Sequence, residues 1–391
     1  MRTFLRERRC EVTSPSVRWT AFVRAPHVLI AVLLIHVAAL AIAISESANP
    51  AGDFDRYYAI ATSPGRAYVD YQVEHPVGTL LVFKLLAQLP GGRRSFGLAI
   101  VVLDAIADAI VIGALWRGWG IGAAAAGGAL AVPVLGLLFN RVDAWPTAAA
   151  VVAVAAWRRD RPIALGGALT IGAAFKLWPL VLATLMVVPW RGRRSVVAMA
   201  AFAATAAVLG GGAVWLAGSN GVLQVLTFRG ATGWQIESLV GSLLHLADRQ
   251  TLRIESGSWR IGRMDAAVSI AMFLAAAPIC VWSSWRGARL NRVGAGWLAS
   301  VSSLLVLSAL LSPQYVIWLA PAAAIAWVEG DKRLTVLTAS AILLTQIFWS
   351  FYGRVIDSEL PAMLTVVVRN GLLIALAACA IARLRAPSTG G

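Results

Sequence analysis

Twelve apolar runs, each 14 to 23 residues long, occupy most of the chain between residues 27 and 382. A bilayer core about 30 Å thick takes roughly 20 apolar residues in helical form. Within that core every backbone N–H and C=O needs a partner, which a helix supplies from its own turns. The runs fall at 27–45, 96–116, 119–138, 144–157, 162–175, 177–190, 195–217, 266–285, 293–311, 314–328, 334–349 and 362–382. They predict an all-α polytopic membrane protein with about twelve transmembrane helices. Only 14% of residues are charged, against about 25% in a soluble domain. A soluble enzyme is excluded.

Several runs are near 14 residues and can cross only if protein surrounds them or they line a water-filled cavity. The apolar stretch 77–90 differs from the rest. It contains Lys84, ends in Pro90-Gly91-Gly92, and is followed by Arg93 and Arg94. It predicts a re-entrant or interfacial helix.

The formal net charge is +15. With a cytoplasmic N-terminus, 20 of the 34 basic residues fall in short inner connections beside only five acids. The inner connections then carry the whole net charge, as the positive-inside bias demands. The excess is topological, so no nucleic-acid partner is expected. The predicted organisation is a cytoplasmic tail 1–26, a single membrane domain 27–385, and a cytoplasmic tail 386–391. About 26 mostly polar, Arg-rich residues precede the first run, which therefore reads as a signal anchor rather than a cleaved leader. Two outer segments, 46–95 and 218–265, far exceed ordinary connections, and long loops are usually functional.

Cys10, Cys280 and Cys379 are too dispersed for a disulfide framework, and the four histidines offer no ligand spacing for a metal. No metal site and no cofactor are expected, with dependence on a divalent ion left open.

The polar residues of the outer segments carry the chemistry. The first segment holds Asp53, Asp55, Arg56, Tyr57 and Tyr58, then Glu74, His75 and Pro76. A carboxylate there can take the proton of a sugar hydroxyl, while aromatic rings stack on sugar faces. The plain alternative is an interfacial aromatic belt. Arg141 and Asp143 can close a helical hairpin as an ion pair. Lys176 lies in an apolar run, where a charge costs about 2.5–3.5 kcal/mol and marks function by default. With Arg141 it suits a lipid phosphate. Gln235 and Glu237 lie beside Trp234, and Gln314 and Tyr315 mark a Pro-broken corner. Asp104 and Asp108 share a face of one span, where pairing with Arg or Lys is expected.

The order of these motifs resembles glycosyltransferase family 87, the actinobacterial polyprenol-phosphate-mannose-dependent mannosyltransferases of the GT-C fold. It comprises D-x-x-x-Y at Asp53 and Tyr57, Glu74-His75-Pro76, N-x-x-D ending at Asp143, K-x-x-P at Lys176, and SPQYxxWxxP around Gln314 and Tyr315. The resemblance runs over roughly residues 45–325. It implies a sugar, mannose first, passed with inversion from a polyprenyl phosphate to a glycolipid or glycan. The resemblance also implies that the transfer takes place on the outer face of a bacterial plasma membrane. It also implies that Asp53 is the catalytic carboxylate. Two positions depart from the family: His75 stands where a Pro is common, and Gln314 and Tyr315 stand where a His is common. Both bear on sugar and acceptor identity.

A membrane transporter or lipid flippase for a cell-envelope precursor is the competing reading. It would place its polar groups at mid-bilayer on broken helices, and Asp104 and Asp108 are its best support. A non-catalytic scaffold would leave the carboxylate–aromatic clusters without a use.

Overall fold

The computed structural model describes residues 26–47, 52–188, 192–226, 231–247, 251–255 and 257–386. The tail 1–25, with its six arginines, and the last five residues lie outside the described residues.

The fold is a predominantly helical polytopic bundle, and a helical element stands at each of the twelve runs. Seven helices are long and apolar enough to cross a membrane: Pro26–Ser47 (α1), Gly92–Trp119, Ile121–Phe139, Arg193–Ser219, Ala267–Arg289, Lys332–Ser350 and Leu360–Arg385. The shorter ones include Ala144–Arg158, Pro162–Phe175, Val293–Val306 and Pro313–Val328. At 1.5 Å per residue a 14-residue helix reaches about 21 Å, short of the hydrocarbon thickness. Burial accounts for their stability: Val293–Val306 is buried along almost every residue, while Arg193–Ser219 is only 6% buried. Val293–Val306 and the 67%-buried Ile121–Phe139 lie at the centre, and Arg193–Ser219 lies at the perimeter.

Close approach depends on small side chains, as is usual between membrane helices. Between Ala267–Arg289 and Val293–Val306, Ser300 Oγ donates to Cys280 O at 2.9 Å and Cys280 Sγ donates back to Ser300 O at 3.1 Å. Inside the bundle the expected Arg or Lys partner of Asp108 is replaced by His36 of α1. The two meet at 2.6 Å, and His36 Nε2 also meets Gly128 O at 3.1 Å. A histidine 72 residues away satisfies the carboxylate without importing a permanent cation. Asp104 is fully buried and has no cationic partner among the described residues.

Segment 46–95 contains two short helices, Asp53–Thr62 (α2) and Val77–Leu86 (α3). The apolar stretch expected to be re-entrant or interfacial is α3, whose ten residues reach about 15 Å, too short to span. It rests on the end of Pro162–Phe175, where Thr79 Oγ1 donates to Phe175 O at 3.0 Å. A Cβ at Gly78 would sit 2.5 Å from Ala174 O.

Segment 218–265 contains strands absent from the all-α expectation. Trp234–Gln235 (β1), Arg253–Glu255 (β2) and Ser258–Ile261 (β3) form an antiparallel sheet in the order β1-β3-β2. Glu255 pins it. Its carboxylate accepts from Thr232 N at 2.7 Å and Gly233 N at 3.0 Å, and pairs with Arg253. Slight burial works against ionisation, but Arg253 and the Thr232 and Gly233 amides outweigh it and hold the carboxyl at about 2. A depressed folded value means the stabilisation is present above the usual carboxylate range and fades as pH falls toward 2. We expect the Thr232 and Gly233 amides to exchange faster with deuterium in Glu255→Gln than in wild type at pH 7. The difference should close near pH 2, and equal rates at pH 7 would remove Glu255 as the pin.

The two ends of the bundle differ in charge. At one end Arg194 pairs with Asp160 at 2.7 Å, Arg383 pairs with Asp331, and Arg158 lies over Trp119. The described parts of segments 46–95 and 218–265, with their polar motifs, gather at the other.

Candidate functional site

That second end holds a cavity of about 200 Å³. Its walls come from α2, the turn before α3, the Arg141 turn, Lys176, the sheet loop, the Pro313 corner and the end of Lys332–Ser350.

Asp53 is one of three carboxylates that line it, with Glu74 and Glu237. It opens α2, and helical spacing puts Arg56 and Tyr57, three and four residues on, along the same face. Its two oxygens take different arginines: Oδ1 lies 2.8 Å from Arg56 Nη2 and Oδ2 lies 2.5 Å from Arg141 Nε. Asp53 is therefore clamped rather than free. Asp55, two residues on, projects elsewhere on the helix and pairs with Arg93 outside the cavity lining.

The two arginines are held differently. Arg56 Nε also lies 2.7 Å from Glu74 Oε1, and its Nη1 donates to Gly257 O at 3.2 Å. Burial disfavours the guanidinium charge, but Glu74 and then Asp53 raise its pKa above the ordinary value. The guanidinium lies so close to Gly257 that a Cβ there would fall 1.9 Å from Nη1. Arg141 has a single carboxylate, that of Asp53, and its guanidinium lies 5.5 Å over the ring of Trp349.

Lys176 enters from the end of Pro162–Phe175, where Pro179 prevents a regular continuation. Its Nζ lies 2.6 Å from Asp143 Oδ1 and 4.3 Å over the Tyr315 ring. Trp318 Nε1 donates to the same Asp143 oxygen at 2.9 Å. Asp143, expected to pair with Arg141, lies beneath the wall and anchors Lys176 instead. The two cations are thereby separated, and both border the cavity.

Tyr57 is buried, stacked on Phe83 at 4.8 Å and edge-on to His75. Burial, then Asp53, pushes its phenol well above the ordinary range, so it stays a neutral hydroxyl. Tyr58 leaves the cavity and packs on Phe96. Gln235 donates to Ser312 Oγ at 3.0 Å and accepts from Leu311 N at 2.9 Å, tying β1 to the Pro313 corner. Glu237 accepts from Tyr352 OH at 2.5 Å, and its other oxygen has no partner among the described residues. Burial raises the carboxyl's pKa against the opposing Tyr352 hydrogen bond.

Ten of the thirteen residues expected at a site line this one cavity: Asp53, Tyr57, Glu74, His75, Arg141, Lys176, Gln235, Glu237, Gln314 and Tyr315. Asp55, Tyr58 and Asp143 do not. Arg56, Ser312, Trp349 and Tyr352 line it without having been assigned a role from sequence. The i,i+3 spacing from Asp53 was the available signal for Arg56. Among the described residues no three His, Cys, Asp or Glu side chains converge to hold a metal ion.

No protein-family model matches the chain, and no curated protein is similar to it.

The cavity brings together the Asp53 carboxylate, the Arg141 and Lys176 cations and the aromatic rings of Tyr57, Tyr315 and Trp349. The cations suit a phosphate, the rings suit the apolar face of a pyranose, and the carboxylate suits a hydroxyl proton.

Proposed function

We propose that the chain is an inverting membrane glycosyltransferase. It moves a sugar, mannose first, from a polyprenyl phosphate to a glycolipid or glycan acceptor at the outer face of a bacterial plasma membrane. The observation that carries this reading is that Asp53, Arg141 and Lys176 line one cavity. A lipid phosphate is already a competent leaving group, so the reaction needs a base and cations for the departing charge but no second catalytic acid. Asp53 takes the proton of the acceptor hydroxyl, whose oxygen bonds to the anomeric carbon from the face opposite the phosphate. The bond from that carbon to the phosphate oxygen breaks with its electron pair going to that oxygen, and Arg141 and Lys176 stabilise the charge of the departing phosphate. The motif order resembling family 87 and the GT-C fold supports the same chemistry. The Arg-rich connections at the opposite end support a cytoplasmic placement of that end, with the cavity outside.

The buried Asp104 in a long span keeps a transporter or lipid flippase as the second reading. Membranes enriched in the chain, given polyprenyl phosphate bearing radiolabelled mannose and envelope lipid, should yield a labelled glycolipid above control membranes. Labelled donor that crosses sealed vesicles unchanged would favour the second reading.

A further inference from the structure

The two arginines on Asp53 differ in how firmly they are held. Arg56 is held by three groups: ion pairs with Asp53 and Glu74 and a hydrogen bond to the Gly257 carbonyl. It also joins segment 46–95 to the sheet loop, and Gly257 has no room for a side chain beside it. Arg141 engages one carboxylate through Nε, at Asp53 Oδ2, and its terminal nitrogens have no protein acceptor among the described residues. Arg141, which lines the cavity, is thus the exchangeable partner.

We infer that Asp53 acts as a placeholder for the donor phosphate on Arg141, and that the arriving phosphate displaces Asp53 Oδ2 and frees it to serve as the base. The inference rests on the proposed glycosyl transfer and concerns its regulation. Before the donor binds, both Asp53 oxygens are occupied and the base is silent, which protects the site from idle proton traffic. Once Arg141 turns to the phosphate, Arg56 still fixes Oδ1, so the freed oxygen is held in position. Arg56 is then a positioning residue, and the donor must bind before the acceptor can react.

Competition between carboxylate and phosphate for one guanidinium makes a prediction opposite to that for a residue that merely helps bind the ligand. Removing the carboxylate charge should tighten phosphate binding. The full chain in detergent is titrated calorimetrically with undecaprenyl monophosphate, with inorganic phosphate as the tail-free arm. Asp53→Asn should bind the lipid phosphate roughly tenfold more tightly than wild type, the scale of releasing one charge-assisted contact. Asp55→Asn, which removes the same charge outside the cavity, should bind as wild type does. In an Arg141→Gln background the gain from Asp53→Asn should disappear, which gives a non-additive double-mutant cycle. Inorganic phosphate should follow the same pattern more weakly if the headgroup carries the exchange. Asp53→Ala repeats the measurement should the Asn variant fail to fold. Binding by wild type with an additive cycle overturns the exchange and leaves the transferase reading standing. Failure of wild type to bind either phosphate overturns both.

Discussion

Asp53→Asn should lower sugar transfer by about 10²–10⁴-fold, the usual loss when a general base is removed. The substitution keeps the side chain's size and one hydrogen-bonding oxygen but removes its basicity. Asp55→Asn should retain most of the activity. Asp55 lies outside the cavity lining, paired with Arg93, and exposed pairs of this kind contribute about 0–1 kcal/mol. Initial rates with equal amounts of purified, monodisperse protein decide the matter. Full activity in well-folded Asp53→Asn would remove Asp53 from the mechanism. Loss confined to the Asp55 variant would move the role two residues along the helix.

The second large effect is expected at Lys176, where binding and stability are entangled. Asp143 has only 2% of its side chain exposed, and Lys176 is its cation. Breaking one side of a buried ion pair typically costs about 3–5 kcal/mol, because a bare charge is left behind. Lys176→Met should therefore lower the thermal midpoint in detergent as well as the affinity for polyprenyl phosphate. The double variant Lys176→Met/Asp143→Asn should recover much of the stability, since no unpaired charge remains, but none of the phosphate affinity. Arg141→Gln should lose affinity with little change in the midpoint. An unchanged midpoint in Lys176→Met would deny the pair its structural role. Restored affinity in the double variant would deny Lys176 its contact with the phosphate.

The helices were legible in the sequence because a membrane helix is written locally, as an apolar run bounded by arginines or turn residues. Even the short central helices stood out as runs, although their burial depends on their neighbours. The cavity was legible in part, since Asp53, Tyr57, Arg141 and Lys176 are polar residues stranded beside apolar runs. What escaped were features set by helix phase or by distant chain. Asp53 and Asp55 look equivalent until α2 is known to be helical, when two residues apart means nearly opposite faces. Lys176 meets Asp143 rather than Arg141's carboxylate because the turn at 140–143 aims the two side chains apart. His36 and Asp108, 72 residues apart, carry no local sign of their pairing. The three-stranded sheet is built from strands of two to four residues joined over polar loops, too short for any alternation to register.

Anomeric chemistry in detergent solution tests the central claim most directly, because without a compartment transport leaves no trace there. Purified protein, polyprenyl-phosphate mannose and a glycolipid extract are incubated, and the products are resolved by chromatography and NMR. The account predicts equal amounts of free polyprenyl phosphate and new glycoside, of inverted anomeric configuration, with neither formed by Asp53→Asn. Intact donor after prolonged incubation, from protein that moves the same lipid across proteoliposomes, would contradict it.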